Sequence, residues 1–470
     1  MGIDKRQDSG YEAFIERYPL YAATGEIDHL RATEYPLLDR DGHVYLDYTG
    51  SGLYAERQVR EHERYLRSCV MGNPHSFNPT SCFTTDMVDE CRRTVLRFFN
   101  ADPEEYVVVF TANATHALKL VGESYPFSGG DLFMLTFDNH NSVNGIREFD
   151  RARGAVTRYV PVVPPDMRTC DPVLQEQFGD VGGSRNRLFA YPAQSNFSGV
   201  HHPLGWIEDA QEHGWDVLLD AAAFVPTNRL DLGRWRPDYV AVSFYKMFGH
   251  PTGIGALIAR RRALEKLHRP WFAGGTITVA SVQADTYFLA PGAEGFEDGT
   301  VNFTCLPGVK IGIEFLESVG IDCVHDRVMS LAGWMIDNLL EMRHGSGRPM
   351  IRLYGPTGLE MRGAAVTINI YDARGEAIDH RVVEQRAMKR MISLRTGCFC
   401  NPGAGELALG LSRDEMIRCL HHPASRMSLE EFWQCIDGKS TGAVRLSLGI
   451  ASNFEDVRRL LSFIEEFREA

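Results

Sequence analysis

One lysine of this chain stands directly after a strongly apolar stretch of sequence. Residues Tyr239 to Ser243 are mostly apolar, which is the pattern of a buried strand, and Lys246 follows three residues later. An amine at the carboxyl end of a buried strand is poorly solvated, and desolvation lowers the pKa of a lysine. The neutral amine is the form that attacks an aldehyde, so the position predicts a nucleophile, although an ordinary surface lysine fits the local pattern too. The glycines and proline of residues 249–255 favour a tight chain reversal beside a ligand.

The remaining lysines compete poorly for that role. Two lie in terminal or turn sequence, and four lie in predicted helices. They are Lys5 and Lys439, and Lys119, Lys266, Lys310 and Lys389.

An aspartate occupies the matching position one strand earlier. Asp220 ends the apolar run that begins at Asp216, and it precedes Lys246 by the length of one helix and one strand. It could be a simple helix N-cap. In a pyridoxal-phosphate enzyme such an aspartate would pair with the protonated pyridine nitrogen and keep the ring an electron sink. The spacing predicts that both side chains lie at one edge of a sheet.

Two more polar turns follow predicted strands. The turn from Thr111 to Thr115 opens a helix, whose free amides, including that of Ala114, form a phosphate site with the Thr115 hydroxyl; capping by Asn113 is the simpler alternative. His140 follows the next strand, where a histidine can stack on a cofactor ring and move protons, or can be structural.

The stretch from Arg395 to Gly403 contains a Cys-x-Cys pair, Cys398 and Cys400. Zinc sites need a second pair at suitable spacing, and none is visible, so no metal site is predicted. Two inert buried thiols remain an alternative. The other interpretation is a nucleophilic thiol on a loop rich in glycine and proline, near an arginine that could bind a substrate carboxylate through two hydrogen bonds.

These residues need a scaffold of alternating strands and helices. Short apolar runs predict the strands 106–110, 131–137, 187–191, 216–219, 239–243 and 255–258. The alternation predicts an α/β fold with a large, doubly wound, mainly parallel sheet, in which polar turns after the strands converge on one crevice. We therefore divide the chain into an N-terminal segment packing on the small domain, a large cofactor-binding domain and a small α+β C-terminal domain. Their predicted bounds are 1–40, 41–310 and 311–470.

Composition narrows the class of protein further. The net charge of -13 over 470 residues argues against nucleic acid or an anionic membrane as the main partner. No signal peptide and no run of about 18 apolar residues is visible, so a cytoplasmic protein is expected. The ten cysteines are scattered, and we expect them to be reduced thiols.

Taken in order, these motifs resemble class V pyridoxal-phosphate enzymes of the cysteine desulfurase family. The resemblance is greatest to the desulfurase-like domain of molybdenum cofactor sulfurases. It covers nearly the whole chain and rests on nine stretches, namely 45–47, 72–76, 111–117, 139–142, 195–199, 219–222, 243–246, 296–300 and 395–403, followed by a terminal 444–449.

The resemblance implies an aminotransferase-like fold, pyridoxal 5'-phosphate as cofactor and a homodimer with active sites at the subunit interface. It assigns a role to each matching residue. Lys246 is the Schiff-base lysine, Asp220 the partner of the pyridine nitrogen and His140 the stacking histidine. Ala114, Thr115 and Ser243 hold the phosphate, with Thr276 from the other subunit, and Arg395, Asn196 and His75 bind the substrate.

The implied reaction removes sulfur from L-cysteine, giving alanine and a persulfide on Cys400 for transfer to a protein or small-molecule acceptor, with Cys398 as a possible second thiol. The alternative is another class V lyase or aminotransferase that acts on a different amino acid, for example in specialised metabolism. A non-catalytic sulfur carrier or partner-binding protein is a third possibility, and absence of bound cofactor would favour it.

The chain departs from the pattern of these relatives at several places. Ala223 stands where desulfurases commonly carry a glutamine, and Gly405 stands where the sulfurase branch often has a third cysteine. Eukaryotic sulfurases also carry a further carboxyl-terminal domain, and we expect none within these 470 residues.

Overall fold

A seven-stranded sheet forms the centre of the computed structural model, which describes residues 9–420, 427–435 and 442–468. The strands are parallel except Gly255–Arg260, which runs antiparallel to both of its neighbours. Across the sheet the order is Tyr106–Thr111, Gly255–Arg260, Tyr239–Ser243, Asp216–Asp220, Arg187–Pro192, Leu132–Thr136 and Val156–Val160. The predicted α/β class with a mainly parallel sheet is confirmed.

The central strands are apolar throughout because both faces of the sheet are covered. Val108 and Val242 pack into a core on one face, whereas Val109 and Ala241 pack into a second core on the other. The covering helices are Pro79–Phe98, Ala114–Ser124, Asn141–Asn144, Arg147–Ala152, Asp171–Gly179, Trp206–Glu212, Phe244–Phe248, Arg261–Leu264 and Leu306–Val319. The result is a three-layer arrangement whose strand ends are left open for a site.

A second, four-stranded antiparallel sheet lies in the carboxyl-terminal part. Its order is Ile351–Tyr354, Ala365–Ile370, Ala443–Ser447 and Arg395–Gly397. Six helices of this part are Ile321–Glu341, His380–Lys389, Pro402–Ala408, Arg413–Leu420, Leu429–Cys435 and Phe454–Glu465.

The N-terminal helices lie against this second part of the molecule. They are Ser9–Arg17, Glu26–Glu34 and Pro36–Arg40, with a 3₁₀ turn at Pro19–Thr24. Arg31 forms a buried ion pair with Asp456 at 2.5 Å, and Phe14 stacks on Phe454 with ring centroids 5.0 Å apart. These contacts fasten the beginning of the described chain to its last helix.

The next segment connects the two sheets. Val44–Tyr45 pairs in parallel with Ile392–Ser393, and Asp47 bridges to Ser447. The helix Glu56–Ser68 then leads back to the large sheet. The Asp47 side chain is thereby held beside the strand that carries Arg445, which becomes important at the site.

Several features were not predicted. The hairpin formed by Ile277–Ser281 and Thr286–Leu289 stands apart from both sheets, and a smaller one joins Val162–Val163 to Arg168–Thr169. Cys419 and Cys435 form a disulfide, so the expectation that all ten cysteines are reduced is wrong for this pair. Their approach depends on how two short helices pack, which sequence spacing does not reveal. Among the described residues, no helix combines the length and apolarity needed to cross a membrane.

Candidate active site

A cavity of about 170 Å³ opens at the carboxyl ends of the parallel strands. In an open α/β sheet this edge is where ligands bind, because the turns after the strands meet there. The lining includes nine side chains from five such turns: Asn113, Thr115, His140, Ser142, Gln194, Asn196, Asp220, Ser243 and Lys246. The predicted convergence of the polar turns is therefore present in the structure.

Lys246 lies in the single helical turn Phe244–Phe248, which begins as soon as its strand ends. The turn stops at Gly249, whose φ of 77° lies in the left-handed region, and an added Cβ there would be 2.3 Å from the backbone of Leu53. Burial lowers the pKa of the Lys246 amine, and the negative charge of Asp220 opposes that shift. The lysine is thus held rigidly, with its amine more easily deprotonated than one in water.

Asp220 and His140 share the same cavity. An Asp220 oxygen accepts a hydrogen bond from the Ala222 amide at 3.0 Å, which fixes the carboxylate at the strand end. Burial lowers the pKa of His140, again opposed by Asp220. The Ser142 amide donates to His140 Nδ1 at 3.1 Å, so the neutral imidazole carries its proton on Nε2.

The helix Ala114–Ser124 points its amino end at the cavity. Asn113 caps it by accepting from the His116 amide at 3.0 Å, and the Ala114 amide donates to the Ser243 hydroxyl at 2.9 Å. The hydroxyls of Thr115 and Ser142 lie 2.7 Å apart. Hydroxyls and the amino terminus of a helix at one place are what a phosphate group requires.

The donor set of the cavity fits pyridoxal phosphate. An amine of lowered pKa, a buried carboxylate, a neutral imidazole and a helix amino terminus all face the same space. When bound, the group would be held by Lys246, Asp220 and His140, with Ala114, Thr115 and Ser243 at its phosphate.

The two cysteines of the Cys-x-Cys pair lie on an exposed loop beside this cavity. The Asn141 amide donates to the Cys400 carbonyl at 2.7 Å, and the Asn196 side-chain amide donates to the Phe399 carbonyl at 2.7 Å. A negative charge on the Cys400 thiol would raise the pKa of Lys246. The loop is therefore docked on the segment that follows His140, within electrostatic reach of the lysine.

Arg395 was predicted to bind a substrate carboxylate, but the structure pairs it with a carboxylate of the protein itself. Its guanidinium donates to one oxygen of Asp47 at 3.0 and 2.5 Å. That hydrogen bond, helped by the negative charge, raises the pKa of Arg395. About half of the Arg395 side chain is exposed (51%).

Arg445 was missed by the sequence analysis and is the more enclosed arginine (4% exposed). It donates to the other Asp47 oxygen at 3.1 Å and to the Asn196 carbonyl at 2.9 Å, while its Nε has no partner among the described groups. Burial lowers its pKa, and Asp47 opposes that shift. The only sequence signal was its place in the terminal stretch 444–449. Arg445 is thus a buried cation with one unpaired donor, beside Asp47 and the Asn196 carbonyl.

Other predicted residues are placed less directly. Asn196 lines the cavity, yet both ends of its side-chain amide are bonded to the cysteine loop. His75 is exposed and lies by Gly275, and the buried Thr276 hydroxyl is bonded to Ala273, so neither lines the cavity of this single chain.

The two residues that depart from the family pattern, Ala223 and Gly405, lie at or near the site. Ala223 lines the cavity, and so does Gln194, which the sequence analysis did not single out. A Cβ on Gly405 would lie 3.1 Å from that of Cys398, so a third cysteine there would crowd the first.

Comparisons with known proteins identify the family of the chain. The aminotransferase class-V family profile matches residues 44–460. Molybdenum cofactor sulfurase of Bos taurus is 38% identical over 97% of the chain, and that of Solanum lycopersicum is 36% identical over 99%. The chain spans only 53% and 60% of these two relatives.

The fold has counterparts among solved structures. The apo cysteine desulfurase of Thermococcus onnurineus NA1 superposes with a TM-score of 0.76 at 23% identity, covering 93% of this chain and 97% of that one. At this level of identity the likeness shows the fold alone. Because the family profile matches most of the sequence, the chain belongs to the class V aminotransferase family of pyridoxal-phosphate enzymes.

Proposed function

We propose that this chain is a cysteine desulfurase that moves sulfur from L-cysteine onto Cys400. The observation that carries the proposal is the docking of the Cys400 loop beside the cavity that holds Lys246, Asp220 and His140. An aminotransferase or an ordinary lyase has no need of an exposed thiol at this position. The curated relatives bear the name molybdenum cofactor sulfurase, which supports a sulfur-transferring role.

Pyridoxal phosphate, when bound, supplies the electron sink that makes the bonds next to an amino acid's α-carbon labile. Asp220 would keep the ring nitrogen protonated, because a buried carboxylate stabilises a nearby positive charge. Lys246 would hold the group, and its amine would then move the α-proton of the substrate. His140 carries a proton on Nε2 and can deliver it within the same cavity.

Arg445 binds the substrate carboxylate, and Asn196 and Arg395 complete that end of the site. The unpaired Nε of Arg445 offers a donor where charge-assisted hydrogen bonds are strongest, in a buried position. An incoming carboxylate would share the two arginines with Asp47, so the net charge of the cluster would fall from about +1 to about zero.

Cys400 is the sulfur acceptor. Its thiolate attacks the sulfur of the substrate, so that a bond forms between the two sulfur atoms while the bond between the substrate's β-carbon and its sulfur breaks. The electron pair stays with the carbon fragment, which takes up protons and leaves as alanine. One sulfur atom is transferred, and no external oxidant or reductant is needed for this step. A second acceptor then removes the persulfide sulfur from the exposed loop.

We also propose a homodimer. Thr276 and His75 lie outside the cavity of their own chain, as residues that complete a partner's site would. The hairpin after Thr276 exposes apolar side chains to solvent in a single chain, including Val279 (55%), Val282 (99%) and Phe288 (65%). Exposed apolar patches of this kind mark interaction surfaces.

The proposal is tested by incubating the purified protein with L-cysteine and a thiol reductant and measuring alanine and sulfide. We expect both products in equal amounts. Cys400→Ser should abolish them while keeping the visible absorbance of the lysine-bound cofactor. Products other than alanine, or activity that survives Cys400→Ser, would instead favour a class V lyase or aminotransferase in which the cysteines take no part.

A further inference from the structure

We propose that Asn401 is the positioning residue that holds Cys400 in place for sulfur transfer. The inference rests on the proposed role of Cys400 and goes beyond it by naming what fixes the thiol. Three features carry it: a strained loop backbone, a buried side chain that ties the loop down, and a rigid anchor on the large sheet.

The backbone of the loop is strained at two consecutive positions. Phe399 and Cys400 have φ values of 56° and 55°, which place both in the left-handed region although neither is glycine. This conformation is unfavourable for L-residues with a side chain, and it persists only where the surroundings impose it. Without an external constraint, the loop would relax and carry the thiol with it.

Asn401 supplies that constraint from the next position along the chain. Its side chain is fully buried (0% exposed), and its amide group donates to the Asp138 carbonyl at 2.6 Å and to the Asn196 side-chain oxygen at 2.9 Å. Its own side-chain oxygen accepts from the Ala404 amide at 3.2 Å and caps the helix Pro402–Ala408. The NH2 end of the amide thus joins the loop to the large domain, and the oxygen end caps the helix that follows the loop.

The anchor is rigid because Asp138 lies in the core of the large domain. Asp138 is fully buried, and its carboxylate is hydrogen-bonded to His202 Nε2 at 2.9 Å. Two residues further on stands His140, and Asn141 donates its amide to the Cys400 carbonyl. One short segment therefore sets the position of both the histidine and the thiol.

Contacts of Phe399 stabilise the same arrangement. Its ring is largely buried, 5.3 Å from the Phe197 ring, and the Arg445 guanidinium lies 4.8 Å from its centroid. Because apolar packing is non-directional, these contacts tolerate several positions of the loop. The hydrogen bonds of Asn401 are directional and select one position.

The test uses Asn401→Asp and Asn401→Ser in the cofactor-loaded protein. Both keep an oxygen that can cap the helix. An ionised aspartate donates no hydrogen bond and the shorter serine hydroxyl has a single proton, so neither can donate to Asp138 and Asn196 together. We expect sulfur transfer to Cys400 to slow by roughly 100-fold, since displacement of a reacting group by about 1 Å costs that much. The KM for L-cysteine should rise by much less than the transfer rate falls, because of the two lost bonds only the one to Asn196 involves a residue at the substrate end of the site.

Two further measurements separate positioning from general damage. Exchange of the α-hydrogen of L-alanine in D2O depends on Lys246 and not on Cys400, so it should fall far less than sulfur transfer. Backbone hydrogen exchange of segment 396–404 should become faster in both variants. The inference would be overturned if sulfur transfer and the backbone hydrogen exchange of segment 396–404 were unchanged in both variants. It would also be overturned if sulfur transfer and the α-hydrogen exchange of L-alanine fell by the same factor.

Failure of the proposed function would look different. If the native protein placed no sulfur on Cys400, desulfuration would be rejected. The role of Asn401 in holding the loop would still be decided by the hydrogen exchange of segment 396–404 in native and variant proteins.

Discussion

The site has two sides whose backbones are fixed in different ways: the lysine side, around Lys246 at the large sheet, and the cysteine side, the loop that carries Cys400. Lys246 sits at the end of a buried strand, and the turn after it uses a glycine where the backbone enters the left-handed region. Cys400 sits on an exposed loop, and two non-glycine residues take that conformation. The first position follows from regular structure, whereas the second depends on hydrogen bonds between the loop and residues that are distant in the sequence. A fixed cofactor site and a thiol that must meet both substrate and acceptor place different demands on the backbone.

The largest effect should come from removing the lysine side. Lys246→Ala is expected to abolish the visible cofactor band and to lower turnover of L-cysteine by about 10³-fold or more, in the upper part of the range for a proton-transfer group. Lys310→Ala is the matched control, because its amine lies at the surface and its pKa is raised by the hydrogen bond with Glu90. If Lys246→Ala and Lys310→Ala had the same cofactor absorbance and the same turnover of L-cysteine, Lys246 would not be the cofactor-binding lysine.

A smaller effect should separate the two arginines that share Asp47. Arg445→Gln should lower kcat/KM for L-cysteine by roughly 10- to 100-fold, since a hydrogen bond to a charged group contributes about 1.5–3 kcal/mol. Arg395→Gln should cost less than about 5-fold, because half-exposed ion pairs contribute only about 0–1 kcal/mol. Steady-state kinetics of both variants measure the difference. A larger loss for Arg395 would return it to the role that the sequence predicted.

The smallest effect concerns the pH dependence of the free energy of unfolding. It comes from His201, a histidine near the lysine side that burial keeps neutral. Burial lowers the pKa of His201 to about 3, and His201 bonds with Gln194 at 2.9 Å at the edge of the cavity. In the unfolded chain this imidazole takes up a proton near its ordinary pKa, which the folded protein resists. Stability should therefore fall as the pH drops below about 6.5, by up to about 1.4 kcal/mol per pH unit from this group. Denaturant unfolding at several pH values measures the slope, which His201→Gln should reduce; an unchanged slope would contradict the assignment.

The same contrast explains what could be predicted from the sequence. Lys246, Asp220 and His140 each follow an apolar run, and such runs identify buried strands without knowledge of tertiary contacts. The pairing of Asp47 with Arg445 was not predicted, because it depends on strand pairing between residues 398 positions apart. The strained backbone of the loop was also missed, since neither Phe399 nor Cys400 favours a left-handed φ. Its position comes from Asn401, whose role is visible only once the large sheet is in place.

The most direct test of the central claim is to locate the transferred sulfur. Native protein would be incubated with sulfur-labelled L-cysteine without reductant, digested, and the peptide containing Cys398 and Cys400 sequenced by tandem mass spectrometry. We predict one labelled sulfur atom on Cys400 and an equal amount of alanine in solution. Label on Cys398 alone, or alanine formed with no label on either cysteine, would contradict the assignment of Cys400 as the sulfur acceptor.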